Sequence, residues 1–198
     1  AVAKDAEKNA GEGGRIITHV MDVLDRAAHA EAVERCTAEF GGMDVTIPNA
    51  GLGIFSPLDK AALEDWMTMV DVNIKGVLTT LHLCLPHLIK SQGLVINIGS
   101  VASRNVFPNS GVYCATKHAV LALGEALRQD LKDKVASTTI CPGAVDTAFI
   151  EQTKEAESKG NLKNAVEFYK DLLHLTTDDT KVAQYTTKVE TLEKKVDV

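Results

Sequence analysis

The sequence predicts an α/β fold: an open, mostly parallel sheet with helices on both faces. Three observations predict it. Short runs rich in β-branched residues alternate with longer helical stretches, one run is apolar at nearly every position, and the runs close on clusters of Gly, Pro, Asn or Ser. The first run is Ile16–Val20, which ends at Asp22-Val23 and reads as a strand. Asp25 then stands as the N-cap of a helix on which Val33, Cys36 and Phe40 share a face, and Gly41-Gly42 stops that pattern. Asp44–Ile47 is a second strand. It must give way to a loop at Pro48-Asn49-Ala50-Gly51-Leu52-Gly53, which suits neither regular structure.

Helical sequence runs from Lys60 to Ser91, with Pro86 expected to bend or interrupt it. Leu94–Ile98 is a third strand, apolar enough to be covered on both faces. Ser110 can cap a helix striped by Val120, Leu123, Leu127 and Leu131, and Val135–Cys141 is a fourth strand that ends before Pro142-Gly143. Right-handed crossovers between such strands place ligands beyond their carboxyl ends. From Glu151 the sequence turns charged and helix-favouring. Leu162, Val166, Tyr169 and Leu173 form one amphipathic face, and Val182, Tyr185, Val189 and Leu192 form another after Thr177-Asp178. No flexible linker precedes these two helices, so residues 1–198 are expected to form a single domain, with a core over 1–150 and a helical region over 151–198.

Composition narrows the function. The 198 residues are 45% hydrophobic and 24% charged, the balance of a globular domain able to bury a core. A net charge of -6, with no basic cluster longer than Lys194-Lys195, argues against a nucleic-acid partner. The stretch Gly76–Ile89 is broken by Thr79, Thr80, His82, Pro86 and His87, too short and polar to span a bilayer. Lys4, Asp5, Glu7 and Lys8 near the start are unlike a secretory leader, so a cytoplasmic protein is expected. Cys36, Cys84, Cys114 and Cys141 are scattered, as free thiols of a reducing compartment would be. His82, Cys84 and His87 do not share one helical face, so they read as packing residues and no metal site is predicted.

Tyr113 and Lys117 are four residues apart at the start of a predicted helix, which puts the phenol and the ammonium on one face. That spacing alone says little. Its context says more: Ser100 ends an apolar strand thirteen residues earlier, Asn73 lies in Asp71-Val72-Asn73-Ile74-Lys75-Gly76, and Asn49-Ala50-Gly51 ends another strand.

With Asp22-Val23, Asn49-Ala50-Gly51, Asn73, Ser100, Tyr113-Cys114-Ala115-Thr116-Lys117 and Pro142-Gly143 in this order, the chain resembles the short-chain dehydrogenase/reductase family over Ala1–Ile150. The resemblance implies a Rossmann-like fold and hydride transfer between NAD or NADP and a small carbonyl or alcohol substrate. It implies Ser100, Tyr113 and Lys117 as a catalytic triad completed by Asn73, with Asn73 in a water-mediated relay to Lys117. It further implies cofactor contacts from Asp22, Val23, Asn49, Ala50, Gly51, Tyr113, Lys117, Pro142, Gly143, Val145 and Thr147.

The chemistry of these roles follows from the residue types. Carbonyl reduction needs a hydride, a proton for the developing alkoxide, and donors that stabilise its charge. Tyr113 can supply the proton. A free phenol has a pKa of about 10, and a cation ~5 Å away at an effective dielectric of ~20 contributes about 3 kcal/mol, roughly two pKa units toward the phenolate. Lys117 is expected to act in this way. The Ser100 hydroxyl can donate and accept, so it can hold the substrate oxygen near Tyr113.

The sequence also departs from the family pattern. The family opens with a strand and a glycine-rich turn into a helix, whereas Gly11-Glu12-Gly13-Gly14 precede a predicted strand and lack the context of a pyrophosphate cradle. By that pattern Ala1 falls in the second family helix, an N-terminally truncated version of the fold whose strand edges need cover. Pro48 stands where the family often has a further Asn. An alternative reading follows: a non-catalytic relative, unable to bind dinucleotide, that serves as an interaction or structural protein. The helices around Trp66–Leu88 and Val112–Leu131 carry more apolar surface than one sheet face needs, and in this family such helices pack across a dimer axis. A homodimer or homotetramer is therefore expected.

Overall fold

The computed structural model describes residues 14–143, together with Thr186 and Glu190. Helix α1, Arg26–Phe40, begins and ends as its sequence requires. Asp25 Oδ1 accepts from the amides of Ala27 and Ala28, both at 3.0 Å, and Gly41 closes the helix in the left-handed region at φ 79°. Strand β1 is shorter than expected, Val45–Thr46 rather than Asp44–Ile47. It pairs on one side only, and Pro48 has no N–H with which to extend the ladder.

Helix α2, Leu63–Val70, continues through a π-helical segment, Asp71–Gly76, into α3, Val77–Ser91. The irregularity thus lies at 71–76 and not at Pro86, which sits inside α3. The carbonyl that loses a donor there belongs to His82; both residues are exposed, so water can take the missing partner's place. Strand β2, Leu94–Ile98, matches its prediction. A short 3₁₀ turn, Val101–Ser103, leads on to α4, Gly111–Asp130, and then to β3, Ala136–Ile140. Ser110 occupies the N-cap position of α4 without a side-chain capping bond, and its hydroxyl donates to the Pro108 carbonyl at 3.2 Å.

The strands run parallel in the order β1-β2-β3, with Val45 opposite Leu94 and Leu94–Ile98 opposite Ala136–Ile140. The core gathers on the face carrying Val95, where Leu81, Cys84 and Leu88 of α3 meet Val120 of α4 and Val33 of α1. Leu123, Leu127 and Leu131 pack against it, as the predicted stripe requires. The two faces of β2 are unequal: Val95 and Asn97 are fully buried, whereas Leu94, Ile96 and Ile98 are half-buried. Gly124 allows α4 to lie close on this sheet, since a Cβ there would run into Thr139 and come within 3.1 Å of Asn97 Nδ2. Leu63–Ser91 spans 29 residues and contains an 18-residue window of mean hydropathy 1.2, long and apolar enough to cross a membrane; here Met69, Leu81, Cys84 and Leu88 are buried in the domain.

The predicted strand at Ile16–Val20 does not form. Residues 14–22 pair with no described strand, and Val20 is 99% exposed. Side chains of α1 hold this segment instead: the Arg35 guanidinium donates to the Thr18 carbonyl at 3.1 Å, and Arg15 pairs with Glu39. A β-branched run becomes a strand only when a neighbour takes up its backbone groups, and among the described residues none lies alongside it. The two helices expected after Glu151 lie outside the described residues, apart from Thr186 and Glu190, which are helical and exposed.

Candidate active site

All three strands deliver functional candidates at their carboxyl ends. Asn49, Ala50 and Gly51 follow β1, Ser100 follows β2, and Pro142 follows β3. Two backbone bonds keep the last two ends together: the Gly99 amide donates to the Ile140 carbonyl at 2.8 Å, and the Val101 amide donates to the Pro142 carbonyl at 2.9 Å. Ser100 is fixed by a reciprocal cap. Its Oγ accepts from the Ala102 amide at 3.1 Å, while its own amide donates to Ser103 Oγ at 3.0 Å.

Tyr113 and Lys117 lie on the first turns of α4 and are only 9% and 7% exposed. Lys117 Nζ donates to the Ile98 carbonyl at 3.0 Å and stands 6.0 Å from the centroid of the Tyr113 ring. Phe55 packs edge-on against that ring at 5.4 Å between centroids. Burial pushes the phenol's pKa above its ordinary value, and a hydrogen bond with Ser100 pulls it partly back. Burial likewise pushes the Lys117 ammonium down, opposed by the nearby Cys141. The expectation that Lys117 makes Tyr113 acidic is therefore not met in the protein alone. Desolvation disfavours both charges, and the ammonium is turned to a backbone carbonyl.

Asn73 is 1% exposed and sits in the π-helical segment. Its Oδ1 accepts from the Leu52 amide at 2.9 Å, and its Nδ2 donates to the Leu52 carbonyl at 2.8 Å and to Thr116 Oγ1 at 3.0 Å. Thr116 in turn donates to the Tyr113 carbonyl at 2.8 Å. Both amide hydrogens are thus committed to fastening the 49–53 loop to α4. π-segments recur at functional sites because one extra residue redirects the side chains around it. Gly51 completes the junction: a Cβ there would lie 3.3 Å from Asn73 Oδ1 and 3.4 Å from Lys117 Nζ. Ser100, Tyr113, Lys117, Asn73 and Gly51, chosen from sequence, are brought into one cluster.

The family model described as short chain dehydrogenase matches residues 1–158. The chain belongs to the short chain dehydrogenase family. A serine 3-dehydrogenase of Agrobacterium fabrum is 36% identical over 161 residues, covering 80% of this chain and 63% of the relative. An uncharacterized oxidoreductase of Staphylococcus saprophyticus is 41% identical over 142 residues, covering 68% of this chain and 58% of the relative. The chain thus spans about three fifths of the length of these relatives. Among solved structures, an alcohol dehydrogenase from Thermococcus sibiricus complexed with 5-hydroxy-NADP superposes with a TM-score of 0.67 at 33% identity, covering 74% of this chain and 64% of that one. Carveol dehydrogenase from Mycobacterium avium in complex with NAD superposes with a TM-score of 0.71 at 28% identity, covering 81% and 61%.

A second group of residues meets at the end of β1. Val23, Asn49 and Ala50 line a pocket of about 190 Å³ together with His29, Gly76 and Thr80. Asp22 stands beside it, its Oδ1 accepting from the Leu24 amide at 2.9 Å. Val145 and Thr147 lie outside the described residues, and Gly143 is exposed. Sequence reading missed Ser103, Thr116, Gly76 and His29. The first two had a signal, for each lies three residues after a chosen one, at the spacing of a capping box and of one helical turn. Gly76 and His29 had none, since their roles depend on chain brought from elsewhere.

Proposed function

We propose that the protein is an NAD- or NADP-dependent oxidoreductase that interconverts a small carbonyl compound and its alcohol, with Tyr113 as the acid and base. The observation that carries this reading is the buried Tyr113 phenol bonded to Ser100, with the Lys117 ammonium 6.0 Å from its ring, at the carboxyl ends of the strands. What is present fits one heterocycle of a dinucleotide: the pocket of about 190 Å³ at the end of β1 is smaller than the ~300–1,000 Å³ of whole-ligand pockets. When bound, the nicotinamide supplies or removes the hydride.

In reduction, Ser100 holds the carbonyl oxygen by its hydroxyl, and Tyr113 gives that oxygen a proton as charge develops on it. A phenol with a raised pKa stays protonated throughout the neutral range, so the acid is loaded before substrate arrives. Lys117 stands 6.0 Å from the ring centre, and its own depressed pKa lets it pass a proton onward to the phenolate left behind. Asn73 positions both by clamping the loop to α4. Phe55, Phe107 and Trp66, packed around Met69 and Tyr113, give the substrate side an apolar wall. Alcohol oxidation runs the same steps backward, with Tyr113 as base.

The test is turnover by the intact protein with NADH or NADPH and a panel of aldehydes and ketones. Turnover that falls at least about 1,000-fold in Tyr113→Phe supports the reading; wild-type rates in that variant overturn it. We also infer a homodimer or homotetramer in the cytoplasm, supported by the exposed apolar residues Leu63, Met67, Leu78 and Ile89 along α2 and α3. Light scattering that returns a single-chain mass would exclude the oligomer.

A further inference from the structure

We propose that Phe55 is a positioning residue for the proton transfer: its ring keeps the Tyr113 phenol turned toward Ser100 and shielded from water. The inference rests on the reading of Tyr113 as acid and base, and adds a residue that acts through it.

Phe55 lies in the loop between β1 and α2, yet its backbone is pinned on both sides. The Ile54 amide donates to Met69 Sδ of α2 at 3.4 Å, and the Ser56 amide donates to the Asn109 carbonyl, just ahead of α4, at 2.8 Å. With its neighbours held, the Phe55 ring meets the Tyr113 ring at 5.4 Å between centroids and 73° between planes, the edge-to-face contact that aromatic pairs prefer.

A phenol oxygen stands at the end of two rotatable bonds, so a tyrosine stays on one partner only where its neighbours close off the other rotamers. Met69, Ala102 and Cys114 form one buried cluster with Tyr113, and the half-buried Phe55 packs on that cluster from the loop. Burial is the largest influence on the phenol's charge, and it disfavours the phenolate. Among the described residues few groups act on it electrically. Ser100 bonds to it from the end of β2, Lys117 stands 6.0 Å from the ring centre, and the Cys114 thiol adjoins it on α4. Met69 and Trp66 of α2, and Phe55 and Phe107 of the loops, bring no charge to it. Opening the Phe55 side to water therefore lowers the phenol's pKa as well as loosening its aim.

The experiment follows Tyr113 itself. The chain has three tyrosines, so the pH-dependent ultraviolet absorbance of the phenolate, with the Tyr113→Phe curve subtracted, isolates this one. In Phe55→Ala its midpoint is expected about half a pH unit or more below wild type, and the pH profile of alcohol oxidation should move by the same amount. The kcat should fall about tenfold with cofactor affinity unchanged, whereas Phe55→Tyr, which keeps a ring, should stay near wild type in both readouts. Phe55→Leu, which keeps apolar bulk without a ring edge, serves if the Ala variant does not fold and should show the kcat loss with a smaller shift. A midpoint unmoved in the variants that fold, or a loss in Phe55→Tyr as large as in Phe55→Ala, overturns the inference alone. No turnover by wild type, or turnover that survives Tyr113→Phe at the wild-type rate, overturns the reading of Tyr113 and the inference with it.

Discussion

Lys117 and His29 are buried to a similar degree, at 7% and 5% exposure, and their surroundings differ in kind. Around Lys117 the chain answers its own polar groups: the ammonium meets the Ile98 carbonyl, Asn73 meets Leu52 and Thr116, and Ser100 meets Ala102 and Ser103. Around His29 a ring nitrogen has no hydrogen-bond partner among the described residues, and the neighbouring segment 14–22 pairs with no described strand. The first region is assembled in advance, so removing one member disturbs the others. In the second, the described residues leave a buried ring nitrogen unanswered.

That contrast can be tested by comparing what single substitutions do to turnover, stability and affinity. After Tyr113→Phe, the largest effect is expected from Lys117→Met, which should lower turnover about 100-fold. Its melting temperature at neutral pH should not fall, because burial disfavours the ammonium. The sign follows from linkage: the folded pKa lies below the unfolded one, so the unfolded state holds more protons between the two values. Stability then rises with pH through that window, and the cost is fully present below it. Replacing the amine should abolish that slope, and a variant that melts lower with the slope intact would refute this account. In the wild type, alcohol oxidation needs the phenolate, so its rate should still be climbing with pH where an ordinary phenol has already titrated, as the raised phenol pKa requires.

Asn73→Ala should come next. It leaves the half-buried Leu52 amide and carbonyl without their side-chain partner and takes one of two hydrogen bonds from the buried Thr116 hydroxyl, at a cost of about 2–3 kcal/mol in urea unfolding. A loss under about half a kcal/mol would show that the loop is not clamped. The smallest effect is expected in the second region. Gly76 has helical φ and ψ of -58° and -46°, so Gly76→Ala strains no backbone, but the new Cβ presses on Val23 at 3.1 Å. Cofactor affinity should weaken a few-fold, about 1 kcal/mol, with stability nearly unchanged. Isothermal titration beside a thermal melt separates the two, and unchanged affinity would remove this pocket from the cofactor's path.

Legibility in the sequence followed the range of the interactions. Helix α1 was readable because Asp25 and Gly41 act within one turn of their neighbours. Strand β2 was readable because five successive positions carry its pattern, and the Tyr113-to-Lys117 spacing lies within one helix. Ile16–Val20 misled, since strand propensity cannot report whether a neighbour is present. The π-segment was invisible for a related reason: Asp71–Gly76 reads as ordinary helix until Asn73 is drawn onto Leu52, twenty-one residues away.

Local chemistry along the chain thus determined which side chains were offered to the site: a phenol and an amine one turn apart, a serine at a strand's end, and a glycine where bulk is not tolerated. Tertiary structure decided what those groups are once assembled. Only packing sets how much water surrounds a titrating group and which distant carbonyl or amide it faces. These two quantities turned the expected acidic tyrosine into a buried one that holds its proton more tightly than a free phenol.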